Sequence, residues 1–310
     1  MISNRILYTG ASTPELEQAL RDSGKELRLK KAAEITREDM EWADTYVGTR
    51  LPLDAGFGNV KWVHALSAGV DFFLNNRTWP EEVLLTRTIC SFGRMISEYC
   101  LSYLLRHTQK HEIFQGLNAQ SKWGGRGELP TTIRGLRVVL FGTGVIGTEI
   151  AQMLTDLGMS VSGVSRSGER KAPFLEVATP DSCSALLEQA DWVISTLPYT
   201  EETERMFNRT LFSKLQQAGF INVGRGKTVD EQELLHALDE NHLHTAVLDV
   251  TFVEPLPSSS PLWTHPGVWI TPHISAVTPS GEGADCFLDT LNKREQGEPL
   301  ANQVGLNRGY

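Results

Sequence analysis

The chain has 310 residues, more than one average domain, and its 40% hydrophobic and 22% charged content suits a soluble protein with a sizeable core. A formal charge of −9 disfavours non-specific binding to nucleic acid or anionic membrane, both of which reward a basic surface. Four cysteines form no C-x-x-C pair or zinc spacing, the N-terminus "MISNRILYTG" lacks a signal-peptide core, and no run approaches the ~18 apolar residues of a membrane span, so a reduced, cytoplasmic protein is expected.

The first half alternates short apolar runs with helical segments. "RILYTG" reads as a strand, "TPELEQALRDSG" as a capped helix, and "ADTYVGT" and "VKWVHAL" as buried strands. That rhythm argues for a parallel sheet with helices on its faces. "MISEYCLSYLLRHTQKHEIFQGLNAQ" follows as one long helical stretch, and the glycine-rich "SKWGGRGELPTTIRG" after it marks where a second unit could begin.

From Leu136 the rhythm restarts. "RVVLF", "SVSGVS", "DWVISTLP", "AGFINVG", "HTAVLDV" and "GVWITP" read as strands, separated by helices such as "GTEIAQMLTDLG", "DSCSALLEQA" and "DEQELLHALDENH". The last is opened by Asp230, with Glu233 three residues on as in a capping box.

"VVLFGTGVIGTEIAQML" holds G-x-G-x-x-G at Gly142, Gly144 and Gly147, after an apolar strand and at the start of a helix. In that context Gly142 permits the tight turn, Gly144 lets the backbone approach a pyrophosphate, and Gly147 lets helix pack on strand. The helix N-terminus then offers unpaired N–H groups to phosphate. After the next strand an NAD site usually presents an acid to the ribose 2′-hydroxyl, but "VSGVSRSG" has Ser165, Arg166 and Ser167 there. Hydroxyl and guanidinium groups suit a 2′-phosphate that a carboxylate would repel, which points to NADP(H), with NAD(H) as the alternative.

Three further segments place a reactive side chain just after a strand: Arg225 in "FINVGRGKTVD", Glu254 in "AVLDVTFVEPLP" and His273 in "VWITPHISAVT". Arginine can hold a carboxylate or polarise a carbonyl, histidine can pass a proton to a carbonyl oxygen, and a neighbouring glutamate favours the imidazolium. Singly, each is better read as an ordinary ion-pair or loop residue; jointly, behind a dinucleotide loop, the functional reading outweighs that one.

These motifs resemble the D-isomer-specific 2-hydroxyacid dehydrogenase family over nearly the whole chain, and the glyoxylate/hydroxypyruvate reductase subgroup in the S-R-S turn and the ending "NQVGLNRGY". The resemblance implies an α/β fold of two Rossmann/flavodoxin-like domains with parallel sheets. The cofactor domain, 99–276, would be inserted into a discontinuous substrate domain, 1–98 and 277–310, with the active site in the cleft. It implies catalysis by Arg225, Glu254 and His273. Dinucleotide contacts would come from Gly142, Gly144, Val145, Ile146 and Gly147, from Ser165, Arg166 and Ser167, and from Leu197, Pro198, Val223, Gly224 and Asp249, the last at the nicotinamide carboxamide. Backbone N–H groups around Ala68, Gly69 and Val70 in "LSAGVDFF" would join Arg225 and His273 in holding the substrate, although an ordinary strand-to-helix turn explains that segment as well.

The implied reaction is NADPH-dependent reduction of a small 2-keto acid to the D-2-hydroxy acid by a cytoplasmic homodimer, paired through the cofactor domain and the helix near Ser97. Two alternatives remain at this point. One is an NAD(P)H-sensing interaction protein, because corepressors of the C-terminal-binding type resemble the family and share its Arg–Glu–His set. The other is an NAD-dependent dehydrogenase with a larger substrate. No metal is expected: His107 and His111 have helical metal spacing but no third ligand. His242 and His244 read as solvated, the cysteines as apolar filler, and Trp42, Trp62, Trp79 and Trp123 mostly as core, although one could wall the cleft.

Overall fold

A computed structural model describes residues 4–52, 54, 56–74, 77–89, 91–124, 129–277 and 280–306. Cys90, part of the stretch "TRLPLDAGFGN" and the final "NRGY" lie outside the described residues. The chain divides into two units, Met1–Phe92 with Val277–Tyr310, and Gly93–Ala276.

In the first unit, β1 (Arg5–Tyr8), β2 (Glu26–Leu29), β3 (Thr45–Gly48), β4 (Trp62–Ala65) and β5 (Leu84–Arg87) form a parallel sheet in the order β2-β1-β3-β4-β5. Strand alternation sorts the side chains to two faces. Ile6, Tyr8 and Trp62 pack with Leu16 and Leu20 of the helix Pro14–Asp22 and with Phe287 of the helix Ser280–Gln296, while Leu7, Tyr46 and Val63 pack with Met40 and Phe73 on the other side. Each such fully buried Leu, Ile or Phe stabilises the fold by roughly 1.5–3 kcal/mol. The first helix starts where Thr13 accepts a hydrogen bond from the Leu16 N–H at 3.2 Å, with Pro14 in its first turn.

Within this sheet His64 is wholly buried, and its hydrogen bonds fix its tautomer. Thr88 donates its hydroxyl hydrogen to the Ala65 carbonyl (2.9 Å), so at 3.3 Å from His64 Nε2 it accepts. Nδ1 then accepts from Thr86 (2.8 Å), whose oxygen in turn accepts from Trp62 Nε1 (2.9 Å). Burial pushes the imidazole down to about 3.

The second unit holds β6 (Arg137–Phe141), β7 (Ser160–Val164), β8 (Val177–Ala178), β9 (Trp192–Ser195), β10 (Ala218–Asn222), β11 (Leu243–Leu248) and β12 (Val268–Ile270), all parallel, in the order β12-β11-β10-β9-β6-β7-β8. β9 and β10 are buried along their whole length, as strands covered on both faces must be. The order reverses between β6 and β9, the switch point at whose strand ends ligands bind in such sheets.

Three sequence expectations are corrected. The stretch from Met95 to Gln120 is two helices, Phe92–Thr108 and His111–Ala119, because Lys110 turns into the left-handed region (φ 57°). Apolar periodicity runs across that break and cannot reveal it. His244 is not solvated. Its ring stacks on His107 (centroids 4.0 Å apart) and meets Trp192 edge-on, its Nδ1 is buried, and burial pushes it down to about 3. Trp123 is not core; it is fully exposed.

His64 and His244 are depressed far below the ordinary value near 6.5, so the unfolded chain binds more protons than the folded one as pH falls from about 6.5 towards 3. Stability should therefore decline across that window, by up to about 1.4 kcal/mol per pH unit for each histidine. Urea midpoints measured at neutral pH and near pH 5 check this, and the His64 ring signals in NMR should not titrate between those values.

Candidate active site

β6 ends at Phe141, and Gly142 turns the chain with φ +99°. A Cβ there would sit 2.4 Å from Thr196 Oγ1, and a Cβ on Gly147 would sit 1.9 Å from the Gly142 carbonyl oxygen, so both positions admit only hydrogen. A Cβ on Gly144 would meet nothing within 4 Å; that side faces open space. The helix Val145–Asp156 begins directly after it with no side-chain cap, leaving its first N–H groups for an anion. The loop thus fits a pyrophosphate. Val145 at its mouth is exposed, Ile146 is half-buried and Gly147 buried.

At the end of β7, Ser165 Oγ accepts from the Gly168 N–H (3.2 Å) and Ser167 Oγ from the Glu169 N–H (3.3 Å), which shapes a turn in which Arg166 and Ser167 are exposed and Ser165 half-buried. Arg166 is exposed and has no partner among the described residues. Sequence reasoning missed Lys171. Its ammonium donates to the Thr143 carbonyl in the glycine loop at 3.0 Å, bringing a second cation to the same corner. The basic pair Arg170–Lys171 just past the turn was the available signal.

Leu197 and Pro198 follow β9, and Val223 and Gly224 follow β10. A Cβ on Gly224 would come within 2.5 Å of the Leu197 carbonyl oxygen, so these two loops touch through backbone. Gly226 does the same on the other side, where its Cβ would lie 1.9 Å from the Thr251 carbonyl oxygen. The two glycines wedge Arg225 between the loops after β9 and β11, and Arg225 Nη1 donates to the Gly224 carbonyl at 2.8 Å.

Glu254 and His273 meet beside it. Glu254 Oε2 lies 2.8 Å from His273 Nδ1, and Oε1 accepts from the Thr251 N–H at 3.2 Å. A carboxylate only accepts, so Nδ1 carries hydrogen and Nε2 points away from the pair. The hydrogen bond that His273 donates to Glu254 raises the imidazole above its ordinary value, against burial and the Arg225 charge, with the charges of Glu254 and Asp249 adding to the rise. Burial alone would raise Glu254, but His273, the Thr251 N–H and Arg225 together hold it below the usual carboxylate value. The side chains are 41% and 34% exposed, so a ligand can reach the pair. Asp249, after β11, is 1% exposed, and its carboxylate accepts from Thr271, Ile274 and Ser275. An imidazole raised in this way and held by a carboxylate, as His273 is by Glu254, can deliver a proton next to a bound carboxylate or carbonyl.

In the other unit Ala68, Gly69 and Val70 follow β4; Ser67 donates to the Gly69 carbonyl (2.7 Å) and Arg87 to the Ala68 carbonyl (3.1 Å). Among the described residues no acceptor faces the three N–H groups. His107 lies against His244 and Trp192, and no group of three or more metal-ligating side chains occurs among the described residues.

Residues 101–275 match the family model "D-isomer specific 2-hydroxyacid dehydrogenase, NAD binding domain". The chain belongs to the D-isomer specific 2-hydroxyacid dehydrogenase family. It is 32% identical to a glyoxylate/hydroxypyruvate reductase A of Klebsiella pneumoniae, over 94% of this chain and 95% of the relative. A D-isomer specific 2-hydroxyacid dehydrogenase of Xanthobacter autotrophicus, solved with NADPH and MES, superposes with a TM-score of 0.85 at 30% identity, covering 100% of both chains. An NADPH-dependent glyoxylate/hydroxypyruvate reductase of Sinorhizobium meliloti, solved with NADP and sulfate, gives 0.86 at 28% identity, covering 99% of this chain and 100% of that one. This dehydrogenase is an NAD(P)-dependent oxidoreductase acting on a CH–OH group, with two parallel α/β sheets.

The wedge at Gly226 gives a test. Gly226→Ala places a methyl group against Thr251 backbone that cannot swing away, which should displace Arg225 from the loop carrying Glu254. A shift on the order of 1 Å at a reacting group costs about a hundredfold in kcat/KM. Steady-state kinetics on the variant, with its melting temperature measured alongside, check that outcome.

Proposed function

We propose that this dehydrogenase reduces a small 2-keto acid, glyoxylate or hydroxypyruvate, to the D-2-hydroxy acid with NADPH. The observation that carries the reading is the His273–Glu254 bond beside Arg225, at strand ends of the sheet whose β6 bears the dinucleotide loop. Reduced nicotinamide supplies the hydride. Arg225 grips the substrate's carboxylate and polarises its keto group through the planar guanidinium fork. His273 donates the Nε2 proton to the keto oxygen, and Glu254 keeps the ring protonated and aimed. The N–H groups of Ala68, Gly69 and Val70 receive the substrate carboxylate.

Preference for NADPH is supported by the absence of an acid after β7, by the Ser165–Arg166–Ser167 turn and by Lys171 beside it. It is also supported by the NADPH and NADP in the Xanthobacter and Sinorhizobium structures. Leu197, Pro198, Val223 and Gly224 line the dinucleotide's path, with Asp249 at its nicotinamide end. Residues 99–276 are the dinucleotide-binding domain, and 1–98 with 277–310 the substrate-binding domain. The enzyme is proposed to be cytoplasmic; no helix among the described residues is long and apolar enough to cross a membrane. It is also proposed to pair as a homodimer through the cofactor domain, a reading supported by exposed Ile113, Trp123 and Leu129 on and just after its first helices.

Glyoxylate and hydroxypyruvate reduction measured with NADPH and NADH in parallel is the direct test. Arg166→Ala should lower kcat/KM for NADPH by about ten- to a hundredfold, the worth of one charge-assisted hydrogen bond, and leave NADH nearly unaffected. His273→Gln should reduce kcat by about 10²–10⁴ while NADPH still binds. The reductase needs protonated His273, so the wild-type rate should fall as pH rises through a value above the ordinary 6.5. Turnover favouring NADH would remove the role of Arg166, and undiminished turnover by the His273 variant would remove the acid.

A further inference from the structure

His273 has an unusual backbone. Its φ is +56°, the left-handed region that a non-glycine residue occupies only when its surroundings hold it there. Those surroundings can be read bond by bond. The His273 N–H donates to the Asp249 carbonyl (2.8 Å) and the Thr271 carbonyl (3.0 Å). The next two N–H groups, of Ile274 and Ser275, donate to the two oxygens of the Asp249 carboxylate at 2.8 and 2.9 Å. Asp249 thus grips the turn from both its main chain and its side chain.

The Asp249 carboxylate is held in turn. Thr271 Oγ1 donates to Oδ1 at 2.6 Å. A threonine hydroxyl has one hydrogen, and here it goes to the carboxylate. At 2.6 Å from Tyr99 Oη, the same oxygen must therefore accept, with Tyr99 as donor. Burial raises Tyr99 well above its ordinary value, helped by Tyr103 and Asp249 against the Thr271 bond, so its hydrogen stays in place at working pH. Tyr99 belongs to the helix Phe92–Thr108, far from His273 in sequence.

We propose that Tyr99 and Thr271 are positioning residues for the reaction: a one-directional hydroxyl relay, Tyr99 to Thr271 to Asp249, that locks the left-handed turn and so aims His273 at Glu254. The inference rests on His273 being the proton donor of the proposed reductase. Asp249 does not touch the imidazole in this scheme; it holds the backbone from which the imidazole projects. A hydrogen bond to a buried charged acceptor is stronger than one between neutral groups, which suits the relay to holding a disfavoured backbone conformation. The charged and titratable groups facing His273 and Asp249 are Glu254, Arg225, Tyr99 and the buried thiol of Cys100, with Tyr103 beside Tyr99. Of these only Glu254 bonds the imidazole, so loosening the turn acts on His273 through that one contact.

Thr271→Val keeps the volume and removes the hydroxyl; Thr271→Ser restores it; Tyr99→Phe deletes the outer donor. The full-length enzyme carrying 13C-labelled histidine is titrated by NMR, with the His273 signal assigned as the one missing in His273→Gln, and glyoxylate reduction with NADPH is followed across the same pH range. In Thr271→Val the His273 pKa should move down towards 6.5, the descending limb of the rate profile should move with it, and kcat should drop on the order of tenfold with KM much less affected. Tyr99→Phe should shift both in the same direction by less, which keeps the test alive if the valine variant fails to fold. Thr271→Ser should match wild type. A His273 titration and rate profile unchanged in Thr271→Val and Tyr99→Phe would overturn the relay, as would failure of Thr271→Ser to restore them. If instead His273→Gln keeps full turnover, the proposed reductase chemistry falls, and the NMR titration still decides whether the relay positions the ring.

Discussion

The 2.8 Å contact between Glu254 Oε2 and His273 Nδ1 is the interaction on which the rest of the site depends. Neither residue has a useful geometry of its own: one hangs from the loop after β11, the other from the turn after β12. The contact exists because parallel strands deliver their carboxyl ends to one edge of the sheet, and because the loops there approach closely enough to touch. Gly226 against Thr251 is the clearest case, an approach that any side chain would block. The same bond sets the chemistry, since a carboxylate beside an imidazole raises the histidine while the histidine lowers the carboxylate.

Arg225 makes the balance more interesting. Its charge lowers both partners, opposing the raised state of His273 while helping to keep Glu254 ionised. An anionic substrate engaged by the guanidinium would offset that opposition, so the histidine would gain basicity when a 2-keto acid is bound and lose it when the site is empty. The three residues form a circuit whose fourth element is the ligand's charge. An uncharged carbonyl compound would leave the circuit open, which gives a physical reason for a carboxylate in the substrate.

Much of this was legible in the sequence, and the reasons are specific. Strand alternation and helix capping leave marks at fixed short spacings, so β6 with its glycine loop and Asp230 opening the helix Glu231–Asp239 could be read directly. Arg225, Glu254 and His273 could be nominated because each sits just after an apolar strand. What stayed hidden was long-range. Lys171 reaches back to Thr143, Tyr99 reaches to Thr271 and His107 stacks on His244, and no local pattern encodes such pairs. The break at Lys110 was hidden for a different reason: a single left-handed residue alters direction without altering periodicity. Asp249 carried a subtler difficulty. Its place in "LDVTFVEPLP" marked it as functional, yet only the bonds to Ile274 and Ser275 show that its carboxylate is committed to the turn bearing His273.

The sheet of the second unit also separates two kinds of work along its edge. Towards β6 and β7 stand the capless helix N-terminus, Arg166 and Lys171, a positive corner. Towards β10, β11 and β12 stand Arg225, Glu254 and His273, where a carboxylate bonds an imidazole beside a guanidinium. The charges proposed to bind and those proposed to react thereby sit at the ends of different strands. On the proposed function, a change of dinucleotide preference would be made at the end of β7 without disturbing His273, and the proposed proton donor would be retuned through Thr271 without weakening the corner at β6 and β7. That separation follows from strand order alone, since β9 lies between the two groups and contributes backbone rather than charge.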